Sequence, residues 1–242
     1  MADKMAPPPE ARPASTVVLL RDSDNGPETL MLRRNKALMF AGGLWVFPGG
    51  AIDPEDVAAA GDDSEESAAR IGAAREALEE SGLAPRLDDM VLLSHWITPI
   101  GEPRRFATWI YAAPVERDTE VVIDGGEIHD ACWLPVSTAV ARHEAGDMGM
   151  LPPTYVTLRN LCCFHTVDDI VAAERASPVP EVFPVFGSAE EEVVVMFRGD
   201  AGYAAGDASL SGARHRAALR GDRWEYLYQG VDADVYPPLI RD

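Results

Sequence analysis

Apolar positions near the start of the chain fall in two different rhythms. Residues 15–22, STVVLLRD, are β-branched and apolar almost throughout, whereas 28–34, ETLMLRR, alternate. Between them lies the polar cluster DSDNGP. An apolar run, a turn cluster and an alternating run predict a β-hairpin. LWVFPGG at 44–50 predicts a short strand that Pro48, Gly49 and Gly50 bring to a stop. A polar connector, AIDPEDVAAAGDDSEES, follows. Asp63 or Ser64 then caps a helix from about 64 to Ser81, with Glu65 and Glu66 suited to its first turn and Gly82 to a left-handed end. Ile71, Ala74 and Leu78, spaced i, i+3, i+7, form the apolar stripe by which this helix is expected to pack.

Further strands are expected at 91–99, at 104–115 and at 128–136, the last leading into a helix, STAVARHEA. The texture changes at 150. PPTYVTLRNLCCF and TVDDIVAAERA read as helices, while EEVVVMFRG and the pair RHRAAL and RWEYLYQ, flanking Gly221 and Asp222, read as strands. The layout is α+β: a mixed sheet with a helix delivered after a Gly-Gly strand end. Three segments follow from it: a Pro-rich disordered tail at 1–14, a main domain at 15–149, and an extension at 150–242 that packs on the core or across a homodimer.

Composition narrows the function. With 242 residues, 47% of them hydrophobic, the chain can bury one sizeable core. A net charge of −19 argues against nucleic acid and against an anionic membrane surface, and means that an anionic substrate needs local arginines or a bound cation. No apolar run approaches the roughly 20 residues of a membrane span, and the start has no apolar core of a secretory signal. Three cysteines, Cys132, Cys162 and Cys163, without a CxxC, suit a reduced cytoplasmic setting, with the adjacent pair read as core packing. The five histidines show no HxxxH pair that would hold zinc.

One stretch breaks local rules. In AAREALEESGL, residues 73–83, Glu76, Glu79 and Glu80 fall within roughly a 100° arc of the helix. Like charges at that spacing repel, and Glu79 and Glu80 also sit at the negative end of the helix dipole. Three convergent carboxylates favour a hard divalent cation, Mg²⁺ or Mn²⁺, to which Gly49 can add a carbonyl oxygen. Arg75 can orient a carboxylate through a two-pronged pair.

These residues resemble the Nudix hydrolases, whose box reads G-x5-E-x7-R-E-U-x-E-E-x-G-U, with U a bulky aliphatic residue. Here Gly50 is followed by Arg75-Glu76-Ala77-Leu78-Glu79-Glu80-Ser81-Gly82-Leu83. The resemblance implies an α/β/α sandwich and metal-dependent cleavage of a small-molecule diphosphate, with Glu79 and Glu80 as principal metal ligands and Glu76 as ligand or general base. Arg75 lies 25 positions after Gly50, against 14 in the pattern. Counted back from Arg75, the first box Glu falls on Ser67, with Glu65 or Glu66 as substitutes out of phase. The flanking TVVLLRD and RRFATWIYAA look like the branch with C-terminal extensions that includes coenzyme A diphosphatases. The coenzyme A signature of that branch matches at Leu30, Arg34, Leu38, Gly43, Pro48, Gly49, Gly50, Asp53 and Asp56. It fails at Leu32, Asn35, Ala41 and Leu44. An ADP-ribose or dinucleoside polyphosphate hydrolase and a non-catalytic ligand-binding module are the alternatives.

Outside the box, Arg34, Arg104 and Arg105 are the candidates for substrate phosphate, the last two expected on opposite faces of a strand. Glu127 is the candidate for an extra acidic ligand or base, with Glu120 and Asp124 as competitors. Trp45, Trp96 and Trp109 are read as packing residues rather than adenine platforms. Met39 and Phe40 are read the same way, with contact to an acyl chain as the alternative.

Overall fold

The computed structural model describes residues 9–38, 41–62, 64–123, 125–189 and 192–241. The expected hairpin forms from β1 (Arg12–Ser23) and β2 (Gly26–Arg34), turning at Gly26 with φ 92°. β1 thus begins at Arg12, three residues before the expected strand, because Arg12 to Ala14 pair in parallel with Phe106 to Thr108. Next come β3 (Trp45–Val46), β4 (Gly49–Ala51), α1 (Pro54–Ala60), α2 (Glu65–Ser81), β5 (Val91–Ile97), β6 (Phe106–Pro114) and β7 (Ile128–Pro135). α3 (Val136–Glu144), α4 (Pro152–Leu161), α5 (Val167–Ala176) and β8 (Glu181–Val182) follow. β9 (Val185–Ala189), β10 (Glu192–Met196), β11 (Arg214–Arg220) and β12 (Arg223–Gln229) complete the order.

Eight strands make the main sheet, in the path β3-β2-β1-β6-β5-β8, with β4 on β1 and β7 on β2. The sheet is mixed: β1 runs parallel to β6 and β5 parallel to β8, the other pairs being antiparallel. Side chains alternate between faces. Val17, Leu19, Leu30, Leu32 and Tyr111 meet Ala69, Ala73 and Ala77 of α2 on one side. Val18, Leu20, Met31 and Ile110 meet Val140, Tyr155 and Ile170 of α3, α4 and α5 on the other. The sheet is therefore sandwiched between helices.

The packing face of α2 differs from the expected stripe. Leu78 is 51% exposed, and Ile71 and Ala74 are only partly covered. The buried face is Ala69, Gly72, Ala73 and Ala77, and it continues into Glu80. Small residues let the helix lie close to the sheet. A Cβ on Gly72 would stand 3.0 Å from Asp56 Oδ2 and 3.2 Å from Ser15 Oγ. The acidic arc thus borders the packed face. Ser64 is the N-cap and Gly82, at φ 75°, the left-handed end; Asp63 lies outside the described residues. The polar connector also holds a helix of its own, α1, entered through Pro54 at its first position.

Residues after 150 share the core of the main sheet. β9–β12 form a second, four-stranded antiparallel sheet whose Val195, Phe197, Ala217 and Trp224 join the same cluster as Val18 and Leu20. Trp96 of β5 meets Phe197 edge to face at 5.7 Å. Three consecutive carbonyls anchor the junction. Met148 O faces His143 Nδ1 at 2.8 Å, Gly149 O accepts the Trp45 amide at 2.9 Å, and Met150 O accepts the Trp224 indole N–H at 3.0 Å. The Trp224 amide donates to His143 Nε2 at 2.8 Å, so the His143 proton sits on Nδ1. Among the described residues no helix is long and apolar enough to cross a membrane. Cys162 packs against the core as expected, whereas Cys163 is exposed at the end of α4, where the chain turns outward.

Candidate active site at the Gly-Gly strand end

The C-terminal half of α2 lies across β4. Glu80 projects from the packed face and is only 7% exposed. Its Oε2 accepts the amide proton of Gly49 at 3.0 Å. Burial pushes the Glu80 carboxyl up to about 7. The Gly49 amide offsets this in part, the negative Glu76 adds to it, Arg34 opposes it and Glu127 adds again. One turn earlier, Glu76 reaches the next glycine. A Cβ on Gly50 would stand 2.3 Å from Glu76 Oε1, so only glycine admits this carboxylate. Burial raises the Glu76 carboxyl as well, against the pull of Arg75.

Arg75 organises the cluster. Its Nε and Nη2 grip Asp56 at 3.1 and 3.0 Å, and Nη2 also donates to Ala51 O at 3.1 Å. Nη1 donates to Glu76 at 3.0 Å and to Glu79 at 3.3 Å. The pairing with Asp56 leads the forces that hold the guanidinium charged. Asp56 is 2% exposed. Burial would raise its carboxyl, but hydrogen bonds from Arg75 and from the Asp53 amide bring it below the usual range.

At the mouth, Arg34 and Glu127 form an ion pair at 3.1 Å, so the candidate phosphate ligand and the candidate extra acid are partners. Asn35 holds the loop carrying Glu127, its amide donating to Glu127 O at 2.7 Å and its Nδ2 to Gly126 O at 3.2 Å.

The structure thus brings Arg75, Glu76, Glu79, Glu80, Gly49, Arg34 and Glu127 into one electrostatic neighbourhood. The remaining candidates have other partners or positions. Glu79 is turned to Arg75 with a largely exposed side chain. Gly49 meets Glu80 through its N–H. Arg104 and Arg105 precede β6, in the loop after β5, because the strand begins only at Phe106. Arg105 binds two main-chain carbonyls, Thr98 O at 3.1 Å and Pro9 O at 2.8 Å, and Arg104 is exposed. Glu120 is exposed in the loop after β6. Asp124, Met39 and Phe40 lie outside the described residues. Trp45 and Trp96 are buried, and Trp109 stacks on His95 at 4.1 Å while its N–H binds Glu65. Glu66 pairs with Arg70. Ser67 bonds back to Asp62 at the helix start.

The spacing count from Arg75 passes over Asp56. Counted forward from Gly50 it occupies the pattern's first acidic position, and the extra residues fall between Asp56 and Arg75. Counting from the glycine instead would have found it.

The donors are all oxygens, and a buried carboxylate with a raised pKa gains most from a nearby cation. In those respects the residues fit Mg²⁺ or Mn²⁺. Among the described residues, however, no three Asp, Glu, His or Cys side chains already stand as a metal-holding group. Arg75 forms ion pairs with both Glu76 and Glu79.

Residues 11–152, more than half of the chain, match the NUDIX domain, and the chain belongs to that family. Its mixed α/β fold matches a NUDIX hydrolase from Alicyclobacillus acidocaldarius at a TM-score of 0.63 and 24% identity, covering 70% of this chain and 99% of that one. A Caenorhabditis elegans protein described as "Putative nudix hydrolase 7" is 25% identical over 185 residues, 62% of this chain. The aligned part spans 60% of that relative's length. The NUDIX domain of Shewanella oneidensis NrtR, solved with ADP ribose, is similar at 18% identity and a TM-score of 0.47, covering 70% of this chain and 90% of that one.

Proposed function

We propose that this chain is a divalent-metal-dependent hydrolase of a diphosphate linking a nucleoside to a second group. The observation that carries the reading is the pair Glu76 and Glu80, seated on Gly50 and Gly49 beside Arg75. Glu76, Glu80 and, once released from Arg75, Glu79 would hold Mg²⁺ or Mn²⁺. Such a cation neutralises diphosphate oxygens and lowers the pKa of a bound water. Arg75 orients Glu76 through Nη1. Gly50 leaves room for Glu76. Arg34 offers a guanidinium to phosphate at the price of its pair with Glu127, and Glu127 is the candidate acid or base at the mouth.

Coenzyme A or an acyl-coenzyme A is the preferred substrate class, supported by the matches of the coenzyme A signature at Arg34, Gly43, Asp53 and Asp56. ADP-ribose or a dinucleoside polyphosphate is the alternative within the reaction class, and a non-catalytic ligand sensor the alternative outside it. The setting expected for such a substrate is cytoplasmic, without nucleic-acid or membrane partners, and the extension serves the core or a homodimer.

A panel of these substrates with Mg²⁺ and Mn²⁺, products identified by mass, tests the reading. Phosphopantetheine with 3′,5′-ADP is the expected product pair from coenzyme A. AMP with ribose phosphate would move the assignment to ADP-ribose, and no turnover of any member would overturn the enzymatic reading.

A further inference from the structure

Asn35 is one of the positions at which the coenzyme A signature fails, and it stands where the β2–β7 ladder ends. The register slips just before that end: Arg33 pairs with Asp130, but Arg34 with Ile128. The main chain of Arg34 turns the other way. Its N–H donates to Leu44 O at 3.0 Å and its carbonyl accepts the Gly43 amide at 3.0 Å. Beyond the slip, Asn35 takes up residues 126 and 127. Every polar atom of Asn35 is engaged. Its N–H donates to Glu127 O at 2.7 Å and its Nδ2 to Gly126 O at 3.2 Å. Its Oδ1 accepts the Ala37 amide at 3.0 Å, and its carbonyl accepts the Leu38 amide at 3.0 Å.

The side chain therefore does two things at once. Oδ1 closes a turn, which a serine or aspartate oxygen can also close. Nδ2 reaches the carbonyl before Glu127, which neither of those side chains can do. Ionised aspartate has no donor, and the serine hydroxyl ends one atom sooner. Gly126 O belongs to the planar peptide before the Glu127 Cα, and Glu127 O to the one after it. Holding both planes fixes the direction in which the Glu127 side chain leaves the backbone. That side chain is 60% exposed, so packing does little to aim it. It meets Nη2 of Arg34, the residue next to Asn35, at 3.1 Å.

We infer that Asn35 is a positioning residue that aims Glu127, through its two flanking peptides, at Arg34 and the mouth of the site. This rests on the hydrolase reading above, in which Glu127 is the candidate acid or base.

The experiment compares Asn35→Ser, Asn35→Asp, Glu127→Gln and the double variant Asn35→Ser/Glu127→Gln with the wild type. Amide hydrogen exchange, followed by NMR as protection factors, is read at residue 35 for the bond to Glu127 O and at Ala37 for the turn. kcat and KM are measured with the diphosphate that the panel identifies. Asn35→Ser is expected to lower protection at residue 35 about fivefold, the loss of one hydrogen bond, and to spare Ala37. It should lower kcat about tenfold at a KM no higher than that of the wild type. In the Glu127→Gln background the same change should cost less than about twofold, because the carboxylate it aims is gone. Asn35→Asp should lose more in both readouts, since it sets a carboxylate against Gly126 O and beside Glu127.

Wild-type protection at residue 35 or wild-type kcat in Asn35→Ser would overturn the inference. So would an equal loss of kcat with and without the Glu127 carboxylate. If Asn35→Ser loses protection at Ala37 as well, Asn35→Asp decides, because it keeps a planar acceptor for the turn. Lowered kcat there supports positioning, and wild-type kcat overturns it. Wild-type kcat in Glu127→Gln would overturn both the role of Glu127 and the inference. A wild type that cleaves no diphosphate would defeat the hydrolase reading, and exchange at residue 35 would still decide whether Asn35 holds the loop.

Discussion

The amide of Gly49 donates to the carboxylate of Glu80 at 3.0 Å, joining the strand end to the helix that crosses it. One hydrogen bond does not offset the burial, and the carboxyl rises from 4.5 to about 7. A carboxyl whose folded pKa exceeds its unfolded value stabilises the fold fully below the unfolded value, and that contribution is lost as pH rises through the folded one. In EDTA the wild type should therefore lose on the order of 2 kcal/mol between pH 4.5 and 8 that Glu80→Gln keeps. Mg²⁺ or Mn²⁺ at a hundredfold excess over Kd should return about 2.7 kcal/mol to the wild type. Denaturant titrations across pH test both; equal pH slopes in wild type and variant would remove Glu80 as the source.

Charge removal at the cluster should also act on turnover. Glu79→Gln and Glu80→Gln are each expected to lower kcat about 10²-fold, since each removes charge that acts through the cation in the transition state. The measurement is kcat at saturating metal. Full turnover in both variants would mean the cluster is not catalytic.

Gly50→Ala isolates the seat of Glu76. The added methyl meets the far end of a flexible side chain at 2.3 Å, so the backbone is spared and Glu76 must swing away. The expected outcome is a loss of at least about tenfold in kcat with a change in stability within about 1 kcal/mol. A large fall in stability instead would show that the glycine serves the β1–β4 pairing.

The extension should not separate from the core. Phe197, Ala217 and Trp224 share a cluster with Val18, Leu20 and Trp96, and Trp224 binds both His143 and Met150. Cutting after residue 149 would expose this surface on both fragments, so neither is expected to unfold cooperatively. Calorimetry of the two fragments tests this. A cooperative transition in the isolated extension, with full activity in the truncated remainder, would establish two independent domains.

Local signals determined much of this protein. Turn chemistry and alternation suffice for the β1–β2 hairpin, and Ser64 and Gly82 mark the ends of α2. The crowding of Glu76, Glu79 and Glu80 is a conflict of local electrostatics, legible without any fold. The identity of their partners was not, because contacts across 19 positions, as between Asp56 and Arg75, depend on where a connector returns in space. The packing face of α2 also had to await the tertiary structure. Hydrophobicity favoured Leu78, but the sheet accepts only a close-lying helix, so Ala69, Gly72, Ala73 and Ala77 turn inward and carry Glu80 with them. Arg34 and Glu127, 93 positions apart, became a pair for the same reason: β2 and β7 lie side by side, and only sheet pairing decides that.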